Sequence, residues 1–281
     1  MTGLRSAAGW LLWALAAVVA LAHVGLGVLA VVEYARLDWL TSAPYELTAV
    51  SAVAATAALV LVGAVRAMWP AARGALALRR LLRSAGQVPP APVRDAARHL
   101  GVDGRVDVVA ATEAFAVTHG LWRPRILLST GLLEALDTAE VTAVLAHERH
   151  HLDARDPLWV LGGRLLGGYG WFLPVLGWWT RRAAVRREVA ADRAATVRAG
   201  VAAVAGALLK LADRPTPAAV AAANPAGNLP ERIAHLEGRP PRPRRMRGWL
   251  LGGATVLNLG GLFAAVSCCA GLGVAMLGGM T

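Results

Sequence analysis

The sequence predicts a mainly α membrane protein with a small α+β domain, in which a helix carrying His147-Glu148-Arg149-His150-His151 lies beside a short sheet. Three observations predict it. Apolar residues make up 56% of the 281 residues and mean hydropathy is +0.49, above the usual range for one water-soluble domain. The apolar runs 8–32, 47–69 and 249–278 are each long enough to cross a bilayer. Between the last two, β-branched segments give way to a helix with a start signal.

In order, 1–69 reads as two transmembrane helices joined by a short outer loop, 33–45, with Glu33, Arg36 and Asp38. The first run is too long for the apolar part of a signal peptide, and a second run follows soon. His23, inside it, reads as a tolerated packing residue. Residues 70–94 form a basic linker, with Arg73, Arg79, Arg80 and Arg83 before Gln87-Val-Pro-Pro-Ala-Pro-Val93. Residues 95–237 form the α+β domain. Asp95 to Leu100 reads as a short helix, and Val106–Ala110, Phe115–Gly120 and Arg125–Ser129 read as strands. Helical material from Gly131 leads to the motif helix, whose start carries a capping-box spacing, Asp137-x-x-Glu140. Residues 180–212 read as one helix rich in Arg and Ala, and 213–230 as loop. A basic Pro-rich linker, 238–248, precedes the carboxyl-terminal transmembrane helix, 249–281. No internal repeat occurs.

The net charge is +11, nearly all of it arginine, because Lys210 is the only lysine. The arginines flank apolar runs, which favours an anionic membrane surface over nucleic acid. The positive-inside rule puts the amino terminus and 70–247 in the cytoplasm, and 33–45 and the carboxyl terminus outside. The expected location is the cell membrane, multi-pass, with the domain facing the cytoplasm and the bilayer as a partner. No direct nucleic-acid partner is expected. Cys268 and Cys269 are adjacent, and neighbouring side chains point apart. They form neither a disulfide framework nor a metal cluster.

His147-Glu148-x-x-His151 places two imidazoles four residues apart on one helix face, where both can grip one Zn²⁺. With 7 histidines in the chain, chance placement gives the motif in roughly one such chain in two hundred. A metal there acidifies water and polarises a carbonyl, and Glu148 is the general base that takes the proton. A catalytic zinc needs a third protein ligand and an open position. Downstream, Glu188 and Asp192 lie four apart on one helical face. Glu188 is the candidate third ligand, and Asp192 can accept from a bound imidazole and fix its tautomer. His150 lies round the helix and reads as a polar neighbour, Arg149 as solvated, and Asp156-Pro157 as a helix start with Asp156 as cap. His119, at a strand end, is a candidate transition-state contact, with a structural role weighed above it. The sheet edge beside the metal helix is suited to hold an extended peptide.

His147-Glu-Arg-His-His151, Arg155-Asp156-Pro157-Leu158, Trp171-Phe-Leu-Pro174 and Arg187-Glu188-x-x-Ala191-Asp192 occur in this order. So does Arg123-Pro-Arg-Ile-Leu-Leu-Ser-Thr-Gly-Leu132. Together they resemble the membrane gluzincins over about residues 95–237. The nearest resemblance is to the bacterial antirepressor metallopeptidases related to the β-lactam sensor-transducers. The heat-shock membrane protease and CAAX prenyl protease group is more distant. The resemblance implies a zincin-type (gluzincin) domain and zinc endopeptidase activity. It implies ligands His147, His151 and Glu188, base Glu148 and supporting Asp192, with a protein or peptide substrate such as a repressor-like regulator. The sensor-transducers carry an extracellular penicillin-binding domain after the last span, and more spans before the protease. No Ser-x-x-Lys occurs here, so the chain itself is not expected to take up a β-lactam. The competing class is a non-catalytic membrane signalling or scaffold protein that keeps the metal fold. An intact Glu148 argues against it.

One segment sets a constraint. Residues 157–179 are apolar and would span about 34 Å as a helix, against a hydrocarbon core of about 30 Å. One full crossing would separate His151 from Glu188. Arg164, the glycine pairs at 162–163 and 167–168, and Pro174 instead predict an interfacial or hairpin segment.

Overall fold

A computed structural model describes residues 44–239, apart from 170, 172, 213, 216, 218–219 and 221–228; of 44–57, 59, 60 and 169 only the backbone is described. The expected spans 8–32 and 249–278 lie outside the described residues, as do nearly all of 33–45 and 238–248. The chain divides into two compact units. One comprises 69–165 and 178–245; the other comprises 166–177 with the residues up to 68 and from 246.

Helix α1, Pro44–Arg83, runs unbroken for 40 residues. It contains the whole of the expected span 47–69 and continues where a linker was expected. Pro70 removes a single N–H donor, and the Ala, Leu and Arg residues that follow are strong helix formers. Arg80 and Arg83 face the negative end of the helix dipole in the last turn. Among the described residues, no helix is long and apolar enough to cross a membrane.

The larger unit is built on four strands: β1 (Ala85–Gln87), β2 (Val106–Val109), β3 (Ala116–His119) and β4 (Arg125–Ser129). Their order is β1-β2-β4-β3, with β2 and β4 parallel and the other two pairs antiparallel. Strand β1, unforeseen, lies at the start of the Pro-rich stretch and covers the β2 edge. Helix α2 (Ala91–His99) starts earlier than the sequence suggests, with Pro92 in its first turn. Because side chains alternate across a strand, Val106, Val108, Ile126 and Leu128 form one apolar face. They share a core with Leu132, Val141, Leu145 and Leu152. Val109, Val117 and Leu127 form the other face, against Phe115 and Val220.

Ser129 ends β4 and caps α3 (Thr130–Ala135), its hydroxyl accepting from the Leu132 N–H. The entry is tight: a Cβ on Gly131 would lie 2.1 Å from the Thr112 carbonyl oxygen, while the Gly131 N–H donates to Ala111. Gly131→Ala is therefore expected to destabilise the domain by about 1–3 kcal/mol. A thermal melt reads this, and an unchanged midpoint would contradict the packing.

Helix α4, Thr138–Asp153, opens on the expected capping box between Asp137 and Glu140. Its buried face, including Val141, Leu145, Ala146, Glu148, His151 and Leu152, lies against the sheet and α2. Arg155 then takes φ 52°, a left-handed conformation unusual for a side chain other than glycine. It joins α4 to α5 (Asp156–Tyr169). The chain does not continue as one helix through 157–179. It breaks between Tyr169 and Pro174, and α6 runs from Pro174 to Ala199. The glycine pairs do not make the break. A Cβ on Gly163 would lie 3.7 Å from Thr180 Cγ2, and in the smaller unit Gly168 allows α5 to touch the α1 backbone at Ala67. Gly200, at φ +85°, ends α6 by a left-handed turn. It divides the expected helix 180–212 and starts α7 (Val201–Ala212). Lys210 of α7 pairs with buried Glu140 at 2.6 Å, which fastens α7 to the start of α4. A short helix, α8 (Leu229–Leu236), follows, beginning just inside the stretch 213–230 that the sequence predicts as loop.

Candidate active site

All parts of the site lie in the larger unit. Helix α4 contributes His147, Glu148 and His151, spaced so that all three stand on one side. Helix α6 brings Glu188 and Asp192, one turn apart. His147, His151 and Glu188 form a group whose ligand atoms lie within 4.8 Å of one another, suited to holding a metal ion. Glu188 Oε1 lies 3.6 Å from His151 Nε2.

Each imidazole is oriented from behind by a carboxylate. His147 Nδ1 donates to Asp192 Oδ1 at 2.9 Å, and His151 Nδ1 donates to Asp156 Oδ2 at 2.6 Å. Fixing both Nδ1 protons leaves both Nε2 lone pairs facing the centre. The two Nε2 atoms are 3.0 Å apart, and His147 Nε2 is 3.5 Å from Glu188 Oε2. Ligands on a tetrahedral ion with bonds of about 2 Å stand about 3.3 Å from one another, so this spacing fits a single small cation. Two lone pairs and a carboxylate converging in a buried space also call for positive charge between them.

The electrostatics agree. Burial disfavours the carboxylate of Glu188, but hydrogen bonding and charge from His147, then His151 and Arg232, outweigh it and lower its pKa to about 2. Asp192 is likewise held well below the usual carboxylate range. Burial is overcome there by its bonds to Arg232 and His147. Burial opposes charge on His147, yet Asp192 and Glu188 raise its pKa to about 9. Without a metal, His147 therefore carries a second proton at pH 7, on Nε2 in place of the lone pair it would offer a metal. A metal must displace that proton, so affinity is expected to rise about tenfold per pH unit from pH 6.5 towards 9. The same raised pKa stabilises the metal-free fold fully below pH 6.5, and that contribution is lost as pH rises through about 9. Chelator competition at pH 7 and pH 8 reads the affinity; a pH-independent constant would contradict the proton's position.

Glu148 is buried beside this group without belonging to the ligand set. Thr118 Oγ1 donates to Glu148 Oε2 at 2.7 Å and also approaches the Glu148 carbonyl oxygen at 3.0 Å, tying β3 to the motif helix. Arg232 of α8 closes the rear of the site against Asp192.

The structure thus brings together His147, Glu148, His151, Glu188 and Asp192, and it does not bring His119 to them. His119 shares the opposite sheet face with Asp107 and Arg125, and burial lowers its pKa. Thr118, one residue earlier, faces α4, since neighbouring strand residues point to opposite faces. Asp156, expected as a helix cap, is the first residue of α5, and its carboxylate accepts from His151. His150 sits off the metal group, its ring 6.3 Å from that of His151, and Arg149 pairs with Asp153. Thr118 and Arg232 carried no local sequence signal.

An α+β domain whose His-Glu-x-x-His helix meets a carboxylate from a later helix, so that two histidines and a glutamate converge, is of the metallopeptidase type. The family model described as BlaR1 peptidase M56 matches residues 39–236, more than half of the chain, and the chain belongs to that family. Neither a search of curated proteins nor one of solved structures gave a match.

Proposed function

We propose that the chain is an integral membrane zinc endopeptidase that hydrolyses peptide bonds of cytosolic or membrane proteins. The observation that carries this reading is the buried His147–His151–Glu188 group with Glu148 beside it and a carboxylate behind each histidine. His147, His151 and Glu188 are the ligands, and two nitrogens with one oxygen in a compact set suit zinc. When bound, zinc supplies an acidified water and a polarised substrate carbonyl. Glu148, held by Thr118, takes the proton of the attacking water and passes it to the leaving amine. Asp192 and Asp156 keep the two imidazoles oriented as ligands.

The edge position of β3 supports a peptide substrate. Among the described residues it pairs with β4 alone, so an extended segment can add to its outer edge beside Glu148. The resemblance to antirepressor peptidases points to a repressor-like regulator and to regulatory proteolysis in a bacterial cell membrane. On α1, Leu61, Val65, Met68 and Trp69 are exposed at helical spacing, which supports a lipid-facing stripe. The arginines after it support a cytoplasmic catalytic domain. Cysteine labelling at position 84 from outside intact cells would overturn that topology. The activity is tested by incubating the purified chain with a proteome-derived peptide library. New cleavage ends that vanish with chelator and return with zinc are expected; cleavage insensitive to chelator, or none in the zinc-loaded chain, contradicts the proposal.

A further inference from the structure

Arg232 enters the site from α8, forty residues after the carboxylate it holds. Its Nε donates to Asp192 Oδ2 at 2.7 Å and its Nη2 to Asp192 Oδ1 at 2.6 Å, a two-pronged fit of planar fork to carboxylate. Asp192 is completely buried. The oxygen that takes Nη2 is the one that accepts from His147 Nδ1. The third nitrogen, Nη1, stands 3.4 Å from Glu188 Oε2. One guanidinium therefore faces a metal-ligand carboxylate and the carboxylate that orients a metal-ligand histidine.

A carboxylate that accepted only from His147 would keep a free torsion, and the ring it steers would share that freedom. Clamped at both oxygens, Asp192 has one orientation, and so does the imidazole. The positive charge also offsets the mutual repulsion of Glu188 and Asp192, which are both buried and one turn apart on α6. The other arginine at the centre, Arg187, stands 3.9 Å from Asp156 and serves the other histidine. We infer that Arg232 is a positioning residue of the metal centre, which sets metal affinity by fixing Asp192, and through it His147, while holding Glu188 in place. This rests on the metallopeptidase reading and goes beyond it, because it makes α8 a structural part of the metal site.

The test uses the full-length chain, with R232Q, R232K, D192N and the double variant D192N/R232Q. Zinc affinity is read by competition with a chromophoric chelator, coordination by the visible absorption of the Co²⁺-loaded protein, and folding by circular dichroism. R232Q is expected to weaken zinc binding about 10- to 100-fold with an altered Co²⁺ spectrum. R232K keeps the charge and loses the fork, so it is expected to weaken binding as well, and it serves should R232Q fail to fold. The double variant should bind nearly as well as the weaker single variant, since Arg232 acts through Asp192. Wild-type affinity in either folded Arg232 variant, or losses that simply add, overturns the positioning role alone. A wild-type chain that takes up no zinc overturns the metal reading and this role together.

Discussion

Glu148→Gln is expected to lower peptide hydrolysis about a hundred- to ten-thousandfold while leaving bound metal at wild-type stoichiometry. Glutamine has the size of glutamate, and the amide oxygen can still accept the Thr118 hydroxyl that now meets Glu148 Oε2 at 2.7 Å. Packing of the buried residue is therefore kept. The change removes the ability to take a proton, and Glu148 is outside the ligand set. Turnover and metal content measured on the same preparation separate the two roles. Unchanged turnover would remove Glu148 as base, and lost metal would place it among the ligands.

His151→Ala should remove turnover and metal together. It would delete one of the three proposed ligands and would also take from Asp156, whose buried carboxylate meets His151 Nδ1 at 2.6 Å, its closest partner. The buried charge then keeps Arg187 at 3.9 Å, and pairing it so much less well costs stability. Asp156→Asn separates the two contributions. It leaves the ligand in place and weakens its orientation, so a loss of about 10- to 100-fold in metal affinity is expected. Equal affinity in the two variants would show that the ligand set lacks His151.

The motif helix was legible because its information is local. Asp137 and Glu140 cap it, and His147, Glu148 and His151 fall on one face by spacing alone. Glu188 and Asp192 were legible for the same reason, as carboxylates one turn apart, once a metal demanded a third ligand. What was not legible lies in tertiary placement. Asp156 read as a helix cap because its sequence neighbour is Pro157, whereas the left-handed turn at Arg155 delivers it to His151. His119 attracted notice by its chemistry, but strand alternation turns Thr118 to the site. Arg232 is brought in by the packing of α8 against α7, which no periodicity near position 232 announces. The fold shows the same division. The three strands were found from β-branched runs, while β1 and the break at Gly200 depend on a partner strand and on one backbone torsion.

The measurement closest to the central claim is zinc-edge X-ray absorption on the purified, zinc-loaded chain. The expected signal is one zinc in a shell of nitrogen and oxygen at about 2.0–2.2 Å, with outer scattering from two imidazoles. In His147→Ala or His151→Ala, the chain should lose the metal, or any residual metal should show one imidazole fewer. A sulfur shell, or zinc whose imidazole scattering is the same in both variants as in wild type, would contradict a centre built on His147, His151 and Glu188.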